Sequence, residues 1–161
     1  MRQRLLTQLV QAPSDLDYVE SFQALSRINL ELRRHGPSAD RLLRRANLER
    51  AVGNHAASLA AAQDALVLEP QNAEMHYQVG VANLFLALAK AEALPVGPRR
   101  TELPDESLSE LLRRACDAFA KAAEMNPEDE DAREDVAVLT KVLDEARTES
   151  NLAEAMRIKT V

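Results

Sequence analysis

The sequence predicts an all-α fold, a stack of helical hairpins, and three observations carry that expectation. The segment Ser58-Leu-Ala-Ala-Ala-Gln-Asp-Ala-Leu-Val-Leu-Glu-Pro70 is matched 57 residues later (127 minus 70) by Ala115-Cys-Asp-Ala-Phe-Ala-Lys-Ala-Ala-Glu-Met-Asn-Pro127. Each is an alanine-rich helix face closed by an apolar residue, a polar residue and a proline, then a polar pair and a new helix, as in helical repeats. Composition agrees: the 161 residues are 46% apolar but only 3% aromatic, with 4 Gly, so Ala and Leu must supply the core. That supply suits helices packed through small residues rather than sheets of β-branched and aromatic side chains. Finally, apolar residues recur at three- and four-residue steps along most of the chain, the period of one helix face.

The elements follow in order. Pro13-Ser14-Asp15-Leu16-Asp17 breaks a short first helix and starts a second, with Ser14 as N-cap and acids in the first turn. Leu16, Val19, Phe22, Leu25, Ile28 and Leu32 then line one side of a helix ending near His35-Gly36-Pro37, and that stripe is expected to be buried. Ser38 opens a third helix with Leu42, Leu43, Ala46 and Leu48 among arginines. Gly53 and Asn54 supply a tight turn before a fourth, from about His55 to Leu68. After Pro70 and an Asn72 cap, a fifth helix runs through Tyr77, Val79, Gly80, Ala82, Leu84, Phe85 and Leu88 to Ala93. Residues 94–104 hold Pro95, Gly97, Pro98 and Pro104 and cannot be helical; an exposed loop is expected. Pro104-Asp105-Glu106-Ser107 starts a sixth helix with Leu108, Leu111, Leu112, Ala115, Phe119 and Ala122 inward, and the last long helix spans roughly Glu130 to Ala146. Beyond it, Asn151 to Val161 either continues as a short helix through Leu152, Met156 and Ile158 or frays.

From Ser38 to about Ala146 this layout resembles tetratricopeptide repeats, whose helix pairs recur at about 34 residues. Leu42, Leu43 and Ala46 match the family's bulky-then-small pattern, Gly53 its turn, Ser58 and Ala65 its small residues, Leu59, Leu66 and Leu68 its aliphatic ones, and Pro70 its closing proline. Ala62 replaces the usual aromatic. The next unit supplies Tyr77, Val79 and Gly80, then Ala115, Phe119, Ala122 and Pro127, whereas Asn83 and the missing glycine after it depart from the pattern. About 23 extra residues (57 minus 34) separate the helices of this second unit, an insertion that extends both helices and adds the proline-rich loop. The resemblance implies a solenoid of six to seven helices: an N-terminal helical pair (1–37), a first repeat (38–72), a second repeat with the insertion (73–129), and a capping helix and tail (130–161).

In that family the first helix of each pair lines a concave groove. The corresponding positions here are Leu43, Asn47 and Arg50, then Tyr77, Val81 and Leu84, then Glu134, Val138 and Lys141, each triplet at i, i+4, i+7 spacing on one helix face. A partner peptide or helix laid there would meet Leu43, Tyr77, Val81 and Leu84 as apolar contacts and Asn47 as a hydrogen-bonding group. Alternatively, the chain's own N-terminal helix or C-terminal tail fills the same groove and these side chains are core. One subgroup of the family clamps the C-terminal carboxylates of heat-shock chaperones. Asn47 matches a clamp position, but Leu43 stands where a lysine should be and Asp131 and Asp135 occupy expected basic positions, so no affinity for such a tail is expected.

Charge and chemistry narrow the function further. Residues 1–50 hold nine Arg against six acids, a net of +3, leaving a net of −9 for the remainder of a chain whose total is −6. That asymmetry suits docking or self-association, while the overall acidity disfavours nucleic acid. The run Glu128-Asp-Glu-Asp131 reads as carboxylates set against a helix dipole. No apolar run approaches a membrane span. The acid-poor N-terminus resembles an organelle transit peptide in character but reads more simply as an ordinary helix. The lone Cys116 asks for no oxidising compartment, so a cytoplasmic location is expected. His35, His55 and His76 are scattered singly, and neither a metal set, a phosphate loop nor a nucleophile motif is recognisable. The expectation is therefore a non-catalytic protein-interaction adaptor without cofactor or metal. The alternatives are a self-associating structural subunit, such as a homodimer, or a small chaperone for secreted proteins.

Overall fold

A computed structural model describes residues 15–93 and 107–145, with Asn151, Leu152 and Met156. Six helices account for nearly all of it: α1 Asp15–His35, α2 Ala39–Ala51, α3 His55–Leu68, α4 Ala73–Ala93, α5 Leu108–Met125 and α6 Glu130–Glu145. The short first helix and the 94–104 loop expected from the sequence lie outside the described residues.

Helix boundaries follow local chemistry. Gly36, at φ 74°, ends α1 with its N–H on the Leu32 carbonyl at 3.0 Å; a positive φ there favours glycine. The Ser38 hydroxyl accepts from the Arg41 N–H at 3.3 Å, and Ser107 does the same for Glu110 at 3.2 Å, so both helices start with side-chain caps. Asn72 accepts from the Glu74 N–H at 2.9 Å, and Asp129 from the Ala132 N–H at 3.2 Å, placing one carboxylate of the acidic run at the start of α6. The α2–α3 turn has Gly53 at φ 83° and a clasp that the residue types alone do not announce. Buried Glu49 accepts from Asn54 Nδ2 at 2.9 Å and from Arg45 Nε at 3.4 Å, so its charge is compensated across the turn.

Each helix packs mainly on the next in chain order, and α2 also reaches α4. The core is correspondingly divided. Leu25, Ile28 and Val52 form a small patch between α1 and the end of α2; Ala39, Leu42, Ala65 and Met75 form a second; Ala46, Leu59, Ala61, Ala62, Val79 and Ala82 form a third. The largest patch lies between α4, α5 and α6 around fully buried Leu108, Leu112, Ala115 and Phe119, and Leu152 and Met156 join it.

One expectation is corrected. The α1 stripe is not buried along its length: Leu25 and Ile28 are core, but Val19 and Phe22 are 53% and 56% exposed, as is much of Tyr18. The physical reason is reach, because Leu48 and Val52 meet α1 at its middle, on Leu25 and Ile28, and Leu32 packs on the neighbouring patch, so no partner reaches back to Val19 and Phe22 among the described residues.

Candidate protein-binding site

The nine groove positions predicted from the sequence fall into three different environments. On α2, Leu43 and Arg50 are half-buried and Asn47 is exposed. On α4, Tyr77, Val81 and Leu84 are 5%, 4% and 4% exposed and belong to the large core patch, so a partner could touch them only after their neighbours had moved. On α6, Glu134 and Lys141 are exposed and Val138 half-buried.

The α2 group is organised around a guanidinium. Arg50 Nη2 donates to Asn47 Oδ1 at 3.0 Å, and Arg50 Cζ lies 5.0 Å from the centroid of the Phe85 ring, within cation–π range. His55 completes this small assembly, its ring 6.0 Å from that of Phe85 at 28°. Burial lowers the pKa of Arg50 from its ordinary value, with the field of Tyr77 opposing. Burial also lowers that of His55, helped by the Arg50 charge and opposed by Glu92, which favours the neutral imidazole. Its Nδ1 is buried without a hydrogen-bond partner.

The α4 and α6 groups meet through a different residue from those predicted. Tyr77 Oη donates to Asp135 Oδ2 at 3.1 Å, while the Tyr77 ring tilts at 51° against Phe119 with centroids 5.1 Å apart. Asp135 has its pKa raised from 3.8 to about 6, chiefly by burial, against the lowering effect of the Tyr77 hydrogen bond; Asp131, Glu134 and Asp129 add repulsion. Glu134, one residue earlier, points elsewhere and is exposed.

Sequence reasoning thus missed Phe85 and His55, and named Asp135 only as an acid standing where a chaperone-tail clamp would have a basic residue. Phe85 carries a signal in retrospect: it is one of 3 Phe in the chain. His55 carries none that separates it from other surface-type residues, and Asp135 none that points to Tyr77. Among the other histidines, His76 Nε2 lies 2.9 Å from the Pro70 carbonyl and His35 is exposed. Cys116 is half-buried, with Sγ 3.6 Å from Thr140 Oγ1. Among the described residues no three His, Cys, Asp or Glu side chains gather as a metal site, and no helix is long and apolar enough to cross a membrane. No protein-family model matches the chain, and no curated protein is significantly similar to it in sequence.

Proposed function

We propose that this protein is a non-catalytic interaction adaptor of the tetratricopeptide-repeat type, acting in the cytoplasm and holding a peptide or helix of a partner protein against the α2 face. The observation that carries the reading is the matched placement of Ala46 and Gly80, 34 residues apart (80 minus 46) and both buried where the helix that follows crosses. Small residues at that interval are what stacked helical hairpins require for close approach. The face left accessible by this packing is that of Leu43, Asn47 and Arg50, and it combines an apolar contact with directional donors, the mixture that peptide recognition uses.

The test is capture from lysate by the full chain and by a Leu43→Asp variant whose helicity is verified by circular dichroism. Partners held by the parent chain and released by Leu43→Asp support the reading; an identical set of captured proteins on both removes the α2 face as the binding surface. A second reading, self-association, is favoured by one specific feature, the exposed Tyr18, Val19, Phe22 and Leu30 of α1. Light scattering across a concentration series separates the two: a monomer at every concentration discards it.

A further inference from the structure

Among the described residues Arg50 is an arginine without an acid, in a protein rich in acids. The chain has 26 Asp and Glu against 20 Lys and Arg, and three arginines of the described residues find carboxylates: Arg114 with Glu110 at 2.9 Å, Arg45 with Glu49 at 3.4 Å and Arg44 with Glu31 at 3.8 Å. The other described arginines are exposed to water, apart from half-buried Arg50 and Arg41, and Arg41 Nη1 donates to the Gly36 carbonyl at 3.3 Å. Among the described residues no carboxylate lies within ion-pairing distance of Arg50. Glu92 is felt electrostatically at His55 but does not pair with Arg50.

The guanidinium is nevertheless held in place. Asn47 Oδ1 takes one N–H at 3.0 Å, on the solvent-facing side, and Phe85 supports the cation at 5.0 Å. Partial burial has stripped part of its water, which makes an unpaired cation costly and an incoming anion correspondingly welcome. A guanidinium carries five N–H donors in a rigid fork, of which Asn47 uses one. Because Asn47 spends its oxygen on Arg50, its amide nitrogen remains a donor beside the fork, and no acceptor among the described residues engages it. Leu43 lies one helical turn before Asn47 on the same face and is half-buried.

From this juxtaposition, and resting on the reading of the α2 face as the binding surface, we propose that Arg50 and Asn47 recognise the side-chain carboxylate of an Asp or Glu in a partner peptide, with an adjacent apolar side chain on Leu43. One fork and one amide match a single planar carboxylate, bidentate on the guanidinium.

The experiment selects peptides from a random display library on the immobilised full chain, then measures affinities of the selected peptides as synthetic probes. The expected peptides keep an Asp or Glu at constant spacing from a Leu or Ile. Converting that acid to its amide weakens binding roughly tenfold, the size of a charge-assisted hydrogen-bonded pair, and the same conversion has no effect on binding to Arg50→Gln. Arg50→Lys restores only part of the difference, because an ammonium lacks the fork. Peptides that are lost on Leu43→Asp yet indifferent to the acid-to-amide change overturn the role of Arg50 and leave the adaptor reading standing. Failure to select any peptide sensitive to Leu43→Asp overturns both. Should Arg50→Gln fail to fold, the acid-to-amide comparison on the parent chain decides alone.

Discussion

The two helical hairpins, α2–α3 and α4–α5, are filled in two ways, and on the proposed repeat reading they are one device. Ala46 and Gly80 correspond at 34 residues, and Ala62 and Phe119 at 57 (119 minus 62). In the first hairpin Ala46 and Ala62 share a core patch of mostly small side chains. In the second, the smallest residue faces one of the largest: a methyl built on Gly80 would lie 2.7 Å from Cδ1 and Cε1 of the Phe119 ring, which is 0% exposed. The buried polar position also changes hands, Glu49 in the first hairpin becoming Asn83 in the second. Glu49 is satisfied by Asn54 and Arg45, whereas Asn83 donates to the Val79 carbonyl at 2.9 Å and leaves its oxygen buried and unpartnered. The lesson is that two hairpins of similar layout reach different packing solutions when volume lost on one helix is returned on the other. It also explains why the outer face of α2 is available and that of α4 is not: Tyr77 leans on Phe119 and is drawn into the core, while Leu43 has no such ring beneath it.

The sharpest way to break this comparison is at Phe119. Phe119→Ala should cost about 3–5 kcal/mol by chemical denaturation, the range for a buried aromatic truncated to a cavity; a loss under about 1 kcal/mol would deny it the central place. Next in size, Ala62→Phe should destabilise by about 1–3 kcal/mol through overpacking, and Ala46→Gly should recover part of that loss in the double variant by recreating the second hairpin's pairing in the first. Strict additivity of the two changes would show that the hairpins are not interchangeable solutions. Gly80→Ala comes third: the clash with Phe119 outweighs the helix-propensity gain of about 1 kcal/mol, leaving net destabilisation on the order of 1 kcal/mol.

Comparable in size, but dependent on pH, is the effect of Asp135. Its pKa in the fold, about 6, lies above the ordinary 3.8, so the fold prefers the protonated acid. Stability from this group is complete below about pH 4 and is lost as pH rises toward 6. Because the carboxyl is only partly buried, the loss is on the order of 1 kcal/mol rather than the full linkage value. Asp135→Asn should therefore melt higher than the parent chain at pH 7.5 and match it at pH 3.5; an advantage that persists unchanged in acid would locate the strain elsewhere.

Much of this architecture is written in local patterns. The caps at Ser38 and Ser107, the left-handed Gly53, the boundary at Asn126-Pro127 and the start of α6 on its acidic run are all legible because each depends on residues within one or two turns. The inward faces of α5 and the alternation of helices with turns are legible for the same reason, since helical period alone sorts their residues. The site is another matter. That Asp135 rather than Glu134 meets Tyr77 depends on the rotation of α6 about its axis, where one residue is a turn of about 100°. That Arg50 finds Phe85, 35 residues on (85 minus 50), depends on where α2 meets α4. That Val19 and Phe22 face water depends on how far the small patch beneath α1 extends. Backbone hydrogen bonds and caps close within a few residues, so linear order specifies them. Packing sums many weak contacts between distant segments, and which side chains end in water is known only when those segments have docked.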